Sequence, residues 1–115
     1  MPLISIDPER QAEIQKATDL ANLDFWWANV IADGWPTPDG WRLGLTEQDV
    51  SLLTGVFVLA KEADAAGAAL PPVIDKDGVP RTFSSLEDMT AMMLAYGQAR
   101  AELSAEYASR RAAIG

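Results

Sequence analysis

The side chains best placed to do chemistry in this sequence are carboxylates beside tryptophans. Asp24, Asp33 and Asp39 lie within a few residues of Trp26, Trp27, Trp35 and Trp41. Two carboxyl groups held across a cleft can hydrolyse a glycosidic bond, one as acid and the other as base or nucleophile. Nothing in the sequence fixes two of these acids about a cleft, and helix surfaces routinely carry such residues. A second acidic cluster, Asp75-Lys76-Asp77-Gly78, invites a calcium loop. With Gly78 as the sixth loop position, the first would be Val73 and the twelfth Ser84, so both essential acids are missing. The 115 residues include no histidine and no cysteine. That removes the commonest general base, every Ser-His or Cys-His arrangement and every thiolate metal site. The expectation is a chain that is not an enzyme, with no catalytic residues, no metal site, no cofactor and no small-molecule substrate.

Charge and hydropathy narrow the partners. The net charge is −8 with no basic block, which disfavours nucleic acid. The longest apolar run is far short of the roughly 20 residues that a membrane span needs. The segment MPLISIDPERQ has neither a positive end nor a long apolar core, so it does not read as a signal peptide. Half the residues are hydrophobic, and the length suits one domain with a core of its own.

The helix that must position everything else is Thr46–Gly67, TEQDVSLLTGVFVLAKEADAAG. Thr46 is an N-cap answered by Asp49, Leu45 and Val50 are set for a hydrophobic staple, and Gly67 is a stop. Val50, Leu53, Phe57 and Ala60 form one apolar stripe; Leu52, Val56, Leu59 and Ala63 form another beside it. A helix apolar over most of its circumference predicts neighbours on several sides. Gly55 in its middle costs about 1 kcal/mol against Ala, which close approach of another helix or a Trp would offset.

Before it, Asp7-Pro8 opens a helix running to about Ala32, with an apolar line of Ile14, Ala17, Leu20, Ala21, Leu23, Trp27 and Ile31. The segment GWPTPDGW (34–41) reads as a loop, and all four tryptophans fall between positions 26 and 41. These rings are either an aromatic recognition surface or seals at the end of a small helical core, each indole N–H finding a carbonyl. Arg42–Leu45 can add a short strand. Residues 72–83 read as a β-hairpin turning at Asp75–Gly78, with Pro80 confining its strand to an edge. Ser84-Ser85-Leu86-Glu87 reads as a capping box, with Ser84 as cap. The helix it opens runs to about Ala113, roughly 43 Å. That is too long for a compact domain of this size, so its C-terminal half is expected to project and to pack on a copy of itself or a partner, or else to stand solvated.

The fold class read from the sequence is therefore mainly α. It has three helices, at about 8–32, 47–66 and 85–113, and a small β-hairpin at about 72–83 between the second and third. Residues 1–115 form a single domain. Residues 1–6 make an apolar N-terminal arm that lies either on its own core or on a neighbouring surface. The candidate partner-binding residues are Trp35 and Trp41 in the loop and Tyr96, Leu103, Tyr107 and Ile114 on the last helix.

Several pieces in order resemble a known family. They are Trp27-x-x-x-Ile31-x-x-Gly34, Arg42-Leu43 and Leu45-Thr46-Glu47-x-Asp49. Then come Val73-Ile74-Asp75-Lys76-Asp77-Gly78, Met93-Leu94-Ala95-Tyr96-Gly97 and Arg110-Arg111-Ala112-Ala113-Ile114. Together, over roughly residues 20–114, they are similar to a domain of unknown function found in phage and prophage tail proteins, often at the end of tail-fibre chains. The resemblance supplies no catalytic residues. It implies a virion location after synthesis in the host cytoplasm, other phage structural proteins as partners, and self-association. The expected function is a small structural subunit of a tail, baseplate or connector. The alternative is an assembly chaperone or an acidic host-directed inhibitor that never enters the particle. The seventeen acids are spread along the chain, seven in 1–44, six in 45–84 and four in 85–115, which argues against a dense nucleic-acid-mimicking face.

Overall fold

The computed structural model describes residues 7–115. The apolar arm expected at residues 1–6 lies outside the described residues. The order of elements is α1 (Pro8–Asp33), β1 (Trp35–Pro36), β2 (Arg42–Leu43), α2 (Glu47–Ala65), β3 (Val73–Ile74), β4 (Pro80–Arg81) and α3 (Leu86–Ile114). It is a mainly α fold with two antiparallel strand pairs.

Local sequence sets most of the boundaries. Asp7 accepts a hydrogen bond from the Arg10 N–H, and Pro8 takes the first helical position, where it gives up no bond. Thr46 and Asp49 form the reciprocal capping box. Helix α2 ends in a Schellman arrangement: the Ala68 N–H donates to the Ala63 carbonyl, the Gly67 N–H to Asp64, and Gly67 takes φ +71°. At α3 the cap falls one residue later than the sequence suggested. Ser85 accepts from the Asp88 N–H, while Ser84 Oγ donates to the Asp88 carboxylate.

The expected hairpin forms with two-residue strands, Val73 opposite Arg81 and Ile74 opposite Pro80. A second pair of the same size joins Trp35–Pro36, in the segment read as a loop, to Arg42–Leu43, where a short strand was expected: Trp35 faces Leu43 and Pro36 faces Arg42. Gly34 feeds this pair at φ +75°, and a Cβ there would lie 2.7 Å from the Leu43 carbonyl oxygen. The Lys76 N–H donates to the Arg42 carbonyl at 2.8 Å, stitching the two pairs together.

The core gathers at this junction. Leu43, Leu45, Leu53, Ala60, Val73, Met89, Met92 and Tyr96 are buried against one another. They come from β2 and the turn after it, one stripe of α2, β3 and the first half of α3. From this head α1 and α3 run out side by side, giving extents of 81 × 23 × 21 Å and a radius of gyration of 20.9 Å. A compact domain of this length would have about 13 Å.

The elongation corrects three expectations. First, α3 does leave the head, but its C-terminal half lies on α1. Trp27 packs on Tyr107 at 5.3 Å between centroids, Tyr107 Oη donates to Asp24 at 2.9 Å, and the Arg110 guanidinium sits 4.3 Å from the Trp26 ring centroid. Second, α2 is not enclosed. Its Leu53–Ala60 stripe is buried, whereas Leu52 is 61% and Leu59 54% exposed, and nothing lies within 4 Å of a Cβ built on Gly55. The reason is topological: α1 is taken up by α3, which leaves no helix for the outer side of α2. Third, the apolar line of α1 is covered toward its C-terminal end, where Trp27 packs on Tyr107 and Ile31 lies against the core, and uncovered toward its N-terminal end. Among its residues only Leu23 is buried, Ile14 is 47% exposed, and residues 8–18 are exposed throughout.

Candidate functional site

The aromatic loop builds a cleft of about 700 Å³ on the side of the head. One wall is Trp35, Thr37 and Trp41, the other Arg81 and Phe83 of the hairpin arm, and Met92 of α3 lies among its lining residues. The turn Thr37–Trp41 is fixed from within. Thr37 is buried, and both its N–H and its hydroxyl donate to the Trp41 carbonyl at 2.8 Å. Trp35 meets Tyr96 edge-on at 5.8 Å, and Trp41 meets Phe83 edge-on at 6.4 Å. Edge-to-face contacts of this kind suit the aromatic quadrupole and hold both indoles in place.

Arg81 is the anchored cation of this cleft. Its Nε donates to Asp75 Oδ2 at 2.9 Å, and its guanidinium lies 5.4 Å from the Trp41 ring centroid. The Asp75 side chain is 1% exposed. Asp75 Oδ1 also accepts the backbone N–H groups of Asp77 and Val79, so the acid closes the hairpin turn and orients the arginine together. The Val79 N–H holds the Asp75 carboxyl below its ordinary value; burial opposes this, and Arg81 and the Asp77 N–H reinforce it. The Asp75–Gly78 cluster thus has a structural role. Among the described residues no group of three or more potential metal ligands comes together.

The candidate residues divide between two places. Trp35 and Trp41 are half-buried and line the cleft. Tyr96 is corrected: it is 3% exposed, and its hydroxyl donates to the Gly44 carbonyl at 2.6 Å. It is therefore a core residue with no surface to offer a partner. Leu103 packs against the core margin, and Tyr107 packs on Trp27 of the same chain. Ile114 lines a shallow depression with Leu23 and Asp19 of α1. Tyr107 and Ile114, expected on a partner face, are thus turned toward α1 of the same chain. Among the described residues none of the four indole N–H groups donates to a protein acceptor. The expectation that each would find a carbonyl is not met, and the cleft tryptophans keep their donors for solvent or ligand. Of the three acids near the tryptophans, only Asp39 lines the cleft; Asp88, 47 residues after Trp41 in the chain, lines it too. No signal in the sequence linked Asp88 or Arg81 to the tryptophans, because the hairpin and α3 reach them only through the fold.

The outward helix faces are the other candidate surface. Phe25 of α1 is 71% exposed, and Leu52, Val58 and Leu59 of α2 and Leu94 of α3 are also exposed. No described helix is long and apolar enough to cross a membrane. The chain matches no family model, no curated protein and no solved structure.

Proposed function

We propose that this chain is a non-enzymatic structural module that works by protein–protein contact and, following the resemblance of its sequence pieces, that it serves as a small tail-, baseplate- or connector-associated subunit of a phage virion. The observation that carries the contact reading is the set of large apolar side chains left outside on all three helices: Ile14, Phe25, Leu52, Val58, Leu59 and Leu94. Scattered apolar residues are ordinary on a surface, but Leu52, Leu59 and Val58 share one helix around the empty flank of Gly55. Partners of this kind are other phage structural proteins or further copies of the chain, whose repeated use in a virion favours symmetric contacts.

The first turns of α1, which no other described element accompanies, fit the same reading. Residues 8–18 extend past the last turn of α3, whose Ile114 reaches only the level of Leu23 and Asp19. A helical segment of this length is marginal alone in water. A neighbouring subunit would supply the missing contacts.

Two measurements test the proposal. Light scattering on the purified protein over a range of concentrations is expected to show self-association, and Leu52→Glu with Leu59→Glu is expected to abolish it without unfolding the head. Quantitative composition of washed particles is expected to show a fixed copy number. A wild-type protein that stays monomeric and is missing from particles refutes the virion reading. Absence from particles combined with capture of a tail protein would assign the chain to the alternative, an assembly chaperone.

A further inference from the structure

The cleft between the tryptophan loop and the hairpin arm carries three charged side chains that are not used up. Arg81 spends its Nε on Asp75, and its two terminal nitrogens make no hydrogen bond among the described residues. Among the described residues Asp39 accepts no side-chain hydrogen bond, and Asp88 accepts one, from the Ser84 hydroxyl on Oδ2. All three line the same cleft, yet neither acid pairs with the arginine within 4 Å. Trp35 and Trp41 beside them have unspent indole N–H groups, and Phe83 adds a third ring.

The signs of these charges select the ligand. An anion would face Asp39 and Asp88 on a protein of net charge −8. A cation would face Arg81, which already occupies the neighbourhood of the Trp41 ring. A neutral ligand meets neither penalty. It must still offer donors to two carboxylates, which only accept, and acceptors to one guanidinium and two indoles, which only donate. An extended proline-rich segment suits aromatic grooves but brings carbonyl acceptors and few donors. A saccharide brings both, since every hydroxyl donates and accepts, and the C–H face of a pyranose ring packs flat on an aromatic ring by dispersion. The volume of about 700 Å³ lies within the range of small-ligand sites.

We infer that this cleft is a binding site for a neutral oligosaccharide of two or three pyranose rings, with the rings against Trp35, Trp41 and Phe83 and the hydroxyls shared among Arg81, Asp39 and Asp88. This is a binding site and involves no bond cleavage. It does not rest on the helix-face contacts proposed above, because it uses none of their residues.

The test exploits the distribution of the four tryptophans. Trp35 and Trp41 line the cleft, whereas Trp26 and Trp27 lie on α1 against Arg110 and Tyr107. Cellotriose, maltotriose and N,N′,N″-triacetylchitotriose are titrated separately into the ¹⁵N-labelled full chain, up to about 10 mM, high enough to read millimolar affinities. At least one is expected to shift the Trp35 and Trp41 indole signals saturably while Trp26 and Trp27 stay fixed. Asp39→Ala, in an exposed turn with no side-chain partner, is expected to weaken that binding about tenfold, the value of one hydrogen bond to a charged group. Silence of the Trp35 and Trp41 signals to all three sugars overturns the inference, as does equal movement of all four signals. So does unchanged affinity in Asp39→Ala, or a hexaproline peptide that shifts the same two signals more than any sugar. Failure here leaves the self-association and particle measurements untouched, so the two readings fall separately.

Discussion

Replacing Tyr96 by Phe removes one buried hydroxyl and almost nothing else. The ring keeps its volume, so the edge-on contact with Trp35 at 5.8 Å survives and no large cavity forms. What disappears is the 2.6 Å hydrogen bond to the Gly44 carbonyl, which ties α3 to the turn between β2 and α2. A neutral hydrogen bond contributes about 1 kcal/mol net, and a buried acceptor left alone adds about 1–3 kcal/mol. Gly44 is only half-buried, so water can reach its carbonyl, and the cost should fall near about 1–2 kcal/mol. At this chain length that lowers Tm by about 4–10 °C. Urea unfolding followed by tryptophan fluorescence reads it directly.

The same variant carries a pH signature. Burial raises the Tyr96 hydroxyl above its ordinary value of 10.0; Arg100 pulls it down, and Asp49 adds to the rise. A raised folded value means that the folded state favours the protonated hydroxyl. The contribution is intact below about pH 10 and is lost as pH climbs through the folded value. Phe has no such term, so the stability gap between wild type and Tyr96→Phe should narrow above about pH 10. A variant within about 0.3 kcal/mol of wild type at pH 7, with the same alkaline slope, would refute the tie between Tyr96 and Gly44.

Four further outcomes follow from the geometry. Gly34→Ala should destabilise by about 1–3 kcal/mol, because its φ is +75° and a Cβ would press on the Leu43 carbonyl. Gly55→Ala, with open space around it in mid-helix, should stabilise by about 0.5–1 kcal/mol, and thermal melts of the pair would expose an error in either sign. Trp27→Ala should loosen the α1–α3 stalk while sparing the head, seen as faster amide exchange around residues 103–114 with unchanged protection at Met89 and Met92; uniform loss would mean that stalk and head unfold as one unit. Asp75, held below its ordinary value, contributes stability that is present above about pH 4 and lost as pH falls through the lowered folded value. Asp75→Asn should therefore remove that part of the acid-induced loss, which an acid series of urea curves would detect.

Much of this fold is written locally. The Asp7-Pro8 start, the Thr46–Asp49 capping box and the Gly67 stop are interactions within a few residues, so the chain specifies them without help from tertiary structure. The turn at Asp75–Gly78 is equally local, as the acid accepts N–H groups two and four residues on. Three helices and the hairpin could therefore be placed to within a residue or two. What the sequence could not decide is which of several apolar stripes find a partner. The Leu53–Ala60 stripe of α2 and the Leu52–Leu59 stripe look alike in composition, yet Leu53 and Ala60 are buried whereas Leu52 and Leu59 face solvent. Tyr96 and Tyr107 lie on the same line of α3, yet one enters the core and the other clasps α1. Arg81 and Asp88 meet the tryptophan loop only because the hairpin and α3 fold back on it. Local capping and turn energies depend on neighbours in the chain, whereas burial depends on how many neighbours the assembled helices leave over. In a chain that uses α1 and α3 to build a stalk, too few remain to cover every apolar face.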